Sequence, residues 1–317
     1  MNKKKLLSIH IITYNHERYI KHCLDSIINQ KTDLCYEIII SDDASNDNTQ
    51  QILREYQEKY PNIISLLINT KNKGLIKNFY NSLDQCQGQY IINIDGDDYF
   101  NENSLNMIHH EIKRNSGIDI IEFEYDEYYQ TSGKIVKHTN KFQRNISYDN
   151  YLYYAFIYKI LPWAWCIKKS VLDKYLKKEE LIINNINIED YPISLELLYN
   201  QCTLIHINKS IRTYRRHIDS MSNINNLNYR IDFIKSTLNV SYYYYKKYKL
   251  PNKWLKSVKL QSNYSLMHTA GLYGDKTLGN KLIKQIFPNF KLKTILYYLL
   301  SQIKLLRKIT SPFRKIN

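Results

Sequence analysis

Two hydrophobic periods alternate along the first 125 residues. Leu6–Thr13, Glu37–Ser41, Ile63–Ile68, Gln89–Asp95 and Ile118–Tyr125 are short apolar runs rich in β-branched residues, the signature of buried strands. Between them, Glu17–Asn29 sets Ile20, Cys23, Leu24, Ile27 and Ile28 at helical spacing. Thr49–Tyr60 is a helix stopped by Pro61, Gly74–Cys86 carries Leu75, Ile76, Phe79 and Leu83 on one side, and Ser104–Arg114 is a further helix. Strands alternating with helices predict an α/β fold, with a mainly parallel sheet covered by helices on both faces.

The pattern then loosens. Lys134–Phe142 reads as a strand pair and Tyr148–Ile157 as an aromatic-rich helix. Pro162–Ile167 is either a strand or an exposed aromatic loop. Ile188–Pro192 leads into a helix over Ile193–Tyr199, and Thr203–Ile207 and Ile211–Tyr214 read as short strands. From Leu227 onward the period is helical throughout. The predicted organisation is a catalytic domain over 1–225, with a nucleotide side at 1–125 and an acceptor side at 126–225, followed by a helical basic extension over 226–317.

In open α/β sheets, ligands bind at the carboxyl ends of the strands. Three polar clusters fall at such ends: Thr13-Tyr14-Asn15, Asp42-Asp43, and Asp95-Gly96-Asp97-Asp98. Three carboxylates within four positions repel one another unless a cation or a set of donors answers them. An all-oxygen ligand set suits Mg²⁺ or Mn²⁺. Taken alone, the cluster reads equally as an acidic turn before the next helix.

Composition narrows the class. The 317 residues carry a formal charge of +15 and an apolar fraction of 44%, enough for a sizeable core. The charge is uneven: residues 251–317 hold 13 Lys/Arg against one acidic residue, Asp275, which leaves 32 against 29 in residues 1–250. The basic excess therefore belongs to the tail, and it suits an anionic surface. The five cysteines, Cys23, Cys35, Cys86, Cys166 and Cys202, form no CxxC pair, which argues against a disulfide framework or a cysteine zinc site and for a cytoplasmic location. Neither a signal peptide nor a membrane-spanning run is expected.

Six segments, in order, resemble the inverting family 2 glycosyltransferases with the GT-A fold. They are Ile11–Asn15, Ile40–Thr49, Asn72-Lys73-Gly74-Leu75, Asp95–Asp98 as the DxD segment, Ile188-Glu189-Asp190, and Tyr214-Arg215-Arg216-His217 followed by Ser220-Met221-Ser222. The resemblance covers about residues 6–225. It implies a metal-dependent transfer of a sugar from a nucleotide-sugar, with a UDP-sugar favoured, to a glycan or lipid-linked acceptor in bacterial surface polysaccharide assembly.

Carried over residue by residue, the resemblance places Thr13 and Tyr14 at the nucleotide base, Asp43 as the base-binding carboxylate, and Lys73 and Asp95 near the donor. Asp97 and Asp98 are implied as ligands for Mn²⁺ or Mg²⁺, with His217 at the metal or diphosphate and Arg215 at a phosphate. Asp190 is implied as the general base, deprotonating the acceptor hydroxyl as it attacks, with Glu189 on the acceptor. An acidic pair at a helix start is also favoured by the helix dipole alone. Trp163 and Trp165 form either a sugar platform or core.

Phe287–Ile316 crowds leucine, isoleucine and tyrosine among Lys and Arg. It reads as a helix lying in an anionic membrane interface, which implies peripheral attachment at the inner face of the cell membrane. The other readings are a helix packed on the catalytic domain and a dimer contact. Two other functions fit less of the chain. A nucleotidyltransferase of similar fold would place a glycine-rich phosphate loop after the first strand, where Thr13–Glu17 has no glycine. A nucleic-acid binder would need a recognition motif, and none is present, so no nucleic-acid partner is expected.

Overall fold

The computed structural model describes residues 4–138, 148–159, 164–183, 188–217 and 226–307. The chain divides into two compact units: Met1–Ala155 with Ile160–Asn223, and Phe156–Lys159 with Ile224–Asn317.

The first unit opens with β1 (Leu7–Thr13), α1 (Ile20–Ile28), β2 (Tyr36–Asp42), α2 (Thr49–Lys59), β3 (Ile64–Ile68), α3 (Leu75–Leu83) and β4 (Tyr90–Asp95). These strands are parallel in the order β3-β2-β1-β4, as the alternating pattern predicts. Every residue of β1 is buried, including the polar Ser8 and His10, which hydrogen-bond to Glu37, Asn93 and Ser82. Leu7, Ile9, Ile11, Ile38, Ile40, Ile92 and Ile94 form the core with Leu24, Ile27 and Leu53 of the helices.

Beyond β4 the sheet turns mixed. After β5 (Tyr99–Phe100) and α4 (Ser104–Arg114) come β6 (Ile120–Tyr129), β7 (Lys134–His138), α5 (Tyr148–Tyr158), β8 (Trp165–Lys168), α6 (Lys169–Tyr175), α7 (Lys178–Ile183), α8 (Asp190–Tyr199) and β9 (Leu204–Arg216). β8 inserts antiparallel between β4 and β6, and β5 pairs antiparallel with β9. The mainly parallel sheet expected thus holds for β1 to β4, and β8 returns from later in the chain to sit between β4 and β6. The two short strands expected at Thr203–Ile207 and Ile211–Tyr214 are one strand, β9. Its register against β6 jumps from Phe123↔Ile207 to Glu124↔Ser210, so the polar break at Asn208 and Lys209 is an irregularity within a continuous strand. Trp165 is fully buried, so it is core; Pro162, Trp163 and the end of the expected Lys134–Phe142 pair lie outside the described residues. The five cysteines are free thiols.

The second unit is helical: α9 (Leu227–Lys247), α10 (Asn252–Tyr273), α11 (Lys276–Ile286) and α12 (Leu292–Gln302). Asn226 and Asp275 cap α9 and α11 by accepting from Tyr229 N and Leu278 N. Among the described residues no helix is long and apolar enough to cross a membrane.

Candidate active site

The carboxyl ends of β1, β2 and β4 are level: Thr13 pairs with Asp42, and Ile12 with both Ser41 and Asp95. Each strand delivers its polar cluster to the same edge. After β1 the chain turns at Asn15 in the left-handed region (φ 55°). Asn15 N donates to Ser45 Oγ at 2.8 Å, and the Asn15 side chain accepts from Asn46 N at 3.0 Å, which locks the first loop to the second. Tyr14 is 43% exposed.

Asp42 and Asp43 are both buried but serve different elements. Asp42 holds its own turn by accepting from Ser45 N at 2.9 Å and from the Ser45 hydroxyl. Asp43 accepts from Asn69 Nδ2 at 3.0 Å, Lys73 N at 2.8 Å and Gly74 N at 2.8 Å. Its carboxylate thus orders the loop before α3, where Gly74 has φ +84°. Lys73 reaches Asp43 through its main chain, and its side chain is exposed.

The segment Asp95–Asp98 is drawn tight against β1. Gly96 N donates to Ile12 O at 3.0 Å, and a Cβ at Gly96 would lie 2.7 Å from Thr13 Oγ1 and 3.0 Å from His16 Nδ1. Only a glycine fits there without displacing both side chains. One carboxylate oxygen from each of Asp95, Asp97 and Asp98 lies within 4.8 Å of the others.

Those three carboxylates are answered unequally. Asp98 is fully buried; its Oδ2 pairs with Arg212 and its Oδ1 accepts from Arg215 N at 2.9 Å. Burial pushes its pKa well up, against the Arg212 charge. Asp97 has His217 Nε2 at 2.9 Å and His16 Nε2 at 3.9 Å from its Oδ2. Burial pushes the Asp97 pKa upward, but the His217 hydrogen bond and the two histidine charges outweigh it, and the net shift is downward. For Asp95, burial first and the Asp97 charge second raise the pKa to about 7, against the opposing Arg212 charge.

β9 supplies the basic side of the site because β5, just after Asp98, pairs with it at Tyr99↔Thr213 and Phe100↔Arg212. Arg215 donates from Nε to Asp97 O at 2.8 Å, and its guanidinium lies 5.3 Å from the Tyr19 ring centroid and 5.1 Å from that of Tyr99. It is buried beside Asp97 and Asp98, at the position that the resemblance implies lies at a phosphate. Arg216 instead pairs with Glu127.

Glu189 and Asp190 open α8. Asp190 Oδ1 accepts from Tyr191 N at 2.6 Å, and the Tyr80 hydroxyl donates to Glu189 O at 3.0 Å. Burial, then Asp190, then Asp95 drive the Glu189 pKa well above its ordinary value. Asp190 in turn raises that of Asp95, so the pair at α8 lies within electrostatic reach of the β4 edge.

The structure thus brings Thr13, Tyr14, Asp43, Asp95, Asp97, Asp98, Arg215, His217, Glu189 and Asp190 into one unit. Trp163 and Ser220–Ser222 lie outside the described residues. The sequence reading missed Arg212 and His16. Arg212 had a signal: an arginine between Ile211 and Thr213 in an expected strand needs a buried anion once that strand is covered. His16 had none, because its reach to Asp97 depends on the turn at Asn15.

Residues 8–178 match the model of Glycosyl transferase family 2. The chain belongs to that family. Among curated relatives, it is 38% identical over 104 residues to the poly(ribitol-phosphate) beta-glucosyltransferase of Bacillus spizizenii, covering 31% of this chain and 16% of that protein. It is 26% identical over 213 residues to an uncharacterized glycosyltransferase of Methanocaldococcus jannaschii, covering 67% of this chain and 71% of the other. An uncharacterized protein of Mycobacterium tuberculosis is 38% identical over 96 residues, 30% of this chain and 28% of that protein, so the match spans under a third of that relative's length. In fold, S. aureus TarS 1–349 in complex with UDP-GlcNAc superposes with a TM-score of 0.60 at 16% identity, over 98% of this chain and 92% of TarS. The mannosyltransferase PcManGT of Pyrobaculum calidifontis, in complex with GDP-Man and Mn²⁺, superposes at 0.50 and 13% identity, over 99% of this chain and 89% of PcManGT. The family 2 fold is of GT-A type with a helical C-terminal region.

Proposed function

We propose that this protein is an inverting glycosyltransferase. It moves a sugar from a nucleotide-sugar, UDP-sugar favoured, to a hydroxyl of a glycan or lipid-linked acceptor in surface polysaccharide assembly. The observation that carries the reading is the level edge of β1, β2 and β4, which gathers Tyr14, Asp43, Asp95 and Asp97, with Asp190 in electrostatic reach of Asp95. The TarS complex with UDP-GlcNAc supports the choice of donor.

Residues 1–125 take the nucleotide and 126–225 the acceptor side. Asp190 accepts the proton of the acceptor hydroxyl as its oxygen bonds to the anomeric carbon. The bond from that carbon to the diphosphate breaks on the opposite face, which inverts the configuration. Glu189, held toward its neutral form, hydrogen-bonds the acceptor.

The aspartate cluster fits a divalent cation, because it gathers three carboxylates within 4.8 Å and the pKa of Asp95 stays raised despite the Arg212 charge. Asp97 would be the direct ligand, with His217 and Asp95 beside it, and Mn²⁺ or Mg²⁺ bound there would neutralise the leaving diphosphate. Asp98, engaged by Arg212 and the Arg215 amide, contributes chiefly by fixing the segment. The reading includes peripheral contact with an anionic membrane at its inner face and no nucleic-acid partner.

The test is a thermal-shift panel of nucleotide-sugars with and without Mn²⁺, followed by anomeric analysis of the product. Asp97→Ala should abolish the Mn²⁺-dependent UDP shift. Asp190→Asn should keep the shift and lower turnover by about 10²–10⁴-fold. Full turnover by either variant, or a product of retained configuration, would overturn the assignment it tests.

A further inference from the structure

Helix α12 is built the wrong way round for a helix facing water. Its outward stripe is Leu292 (85% exposed), Ile295 (45%), Leu296 (47%) and Leu299 (40%), followed by Ile303 at 43%. The side it buries carries Thr294 and Ser301 with Leu300. At 100° per residue, the four outward leucine and isoleucine side chains of the helix fall within an arc of about 100°, opposite Thr294 and Ser301. The inversion has a packing cause. A Cβ on Gly271 of α10 would lie 2.7 Å from Tyr297 O, and one on Gly279 of α11 would overlap the Ser301 side chain. This close approach places small Ser301 at Gly279, while Tyr297, Tyr298 and Leu300 pack inward, and the leucine and isoleucine stripe is left outside. Phe287 (68%) and Phe290 (41%), in the turn before α12, extend the same exposed apolar surface.

The charge around the stripe selects the partner. Residues 276–307 contain Lys276, Lys281, Lys284, Lys291, Lys293, Lys304 and Arg307, and no acidic residue. Lys291 and Lys293 flank the first turn on either side of the stripe, where long side chains reach headgroups while the stripe enters the acyl boundary. A second copy of this chain would bring the same positive charge to the contact, whereas an anionic bilayer attracts it.

We infer that the outward face of α12, with Phe287 and Phe290, docks the protein onto an anionic lipid bilayer, lying in its interface. The inference rests on the peripheral-membrane part of the proposed function and names the surface responsible. It is independent of the chemistry at Asp97.

The test uses the full chain with vesicles of phosphatidylcholine alone or mixed with phosphatidylglycerol, read by co-flotation at low and high salt. The wild type should float with the mixed vesicles, and high salt should weaken the association. Leu296→Glu/Leu299→Glu should lower partitioning about tenfold or more, and the milder Leu296→Ser/Leu299→Ser should lower it less while keeping the same melting curve. A wild type that stays in solution overturns membrane attachment. A Glu variant that floats as well as the wild type overturns this face while leaving attachment standing. Concentration-dependent dimerisation without lipid, abolished by the same substitutions, would make the face a contact between copies instead. The Mn²⁺-dependent UDP shift on the same samples reports the catalytic reading separately.

Discussion

The two units break the ordinary rule of apolar inside and charged outside in opposite directions. The catalytic unit buries charge: Asp42, Asp43, Asp97, Asp98, Arg212, Arg215 and His217 are all under 10% exposed. The helical unit exposes Leu292, Ile295, Leu296 and Leu299. Buried charge survives only when it is paired or hydrogen-bonded, and exposed apolar surface of this extent marks an interaction site. The first departure surrounds the aspartate cluster, and the second is the surface that the proposed membrane docking would use.

The sharpest way to break the contrast is to strand a buried charge. Arg212→Met leaves Asp98 without its cation in a fully buried site and should cost about 3–5 kcal/mol of folding free energy, measured by chemical denaturation. Asp98→Asn added to it should recover part of that loss. If Arg212→Met matched the wild type, the Arg212–Asp98 pair would not be a structural brace.

Next in size is a pH effect from the same unit. His10 is buried between Asn93 Oδ1 at 2.8 Å and Ser82 Oγ at 2.7 Å, and burial lowers its pKa from 6.5 to about 4. A base depressed in the folded state contributes stability above its unfolded value of 6.5, and loses it as the pH falls toward about 4. The contribution over that window is about 3 kcal/mol. Denaturation at pH 7 and pH 4 should show a His10→Gln variant losing less stability than the wild type; equal losses would remove His10 as the source.

The smallest effect falls in the helical unit. Leu296→Glu/Leu299→Glu should change folding free energy by less than about 0.5 kcal/mol, since both side chains already face solvent. A large destabilisation would mean that the stripe is covered within the folded chain. The contrast between the units would then fail.

Much of this was legible in the chain. Strands buried on both faces are dominated by apolar residues, so β1, β2 and β4 stand out as apolar-rich runs that end where their polar loops begin, even with Ser8, His10 and Asn93 inside them. The crowding of Asp95, Asp97 and Asp98 within four positions identified the acidic edge before any distance was known. Local rules stopped at β8 and β9, because pairing between strands distant in sequence leaves no periodic trace. The same limit hid the contacts of Arg212 and His16 with the aspartate cluster.

By itself, then, the sequence determined the alternating α/β order, the three clusters at strand ends, the resemblance of the aspartate segment to a family motif, and the basic bias of the tail. Those follow from side-chain period and local turn chemistry. The tertiary structure alone decided that Asp98 pairs directly with Arg212 while Asp95 feels that charge less closely and keeps a raised pKa, because that depends on β5 bringing β9 alongside Asp98. It also decided which side of α12 faces out. A helical wheel shows two faces, and only the close approach allowed by Gly271 and Gly279 determines which one is buried.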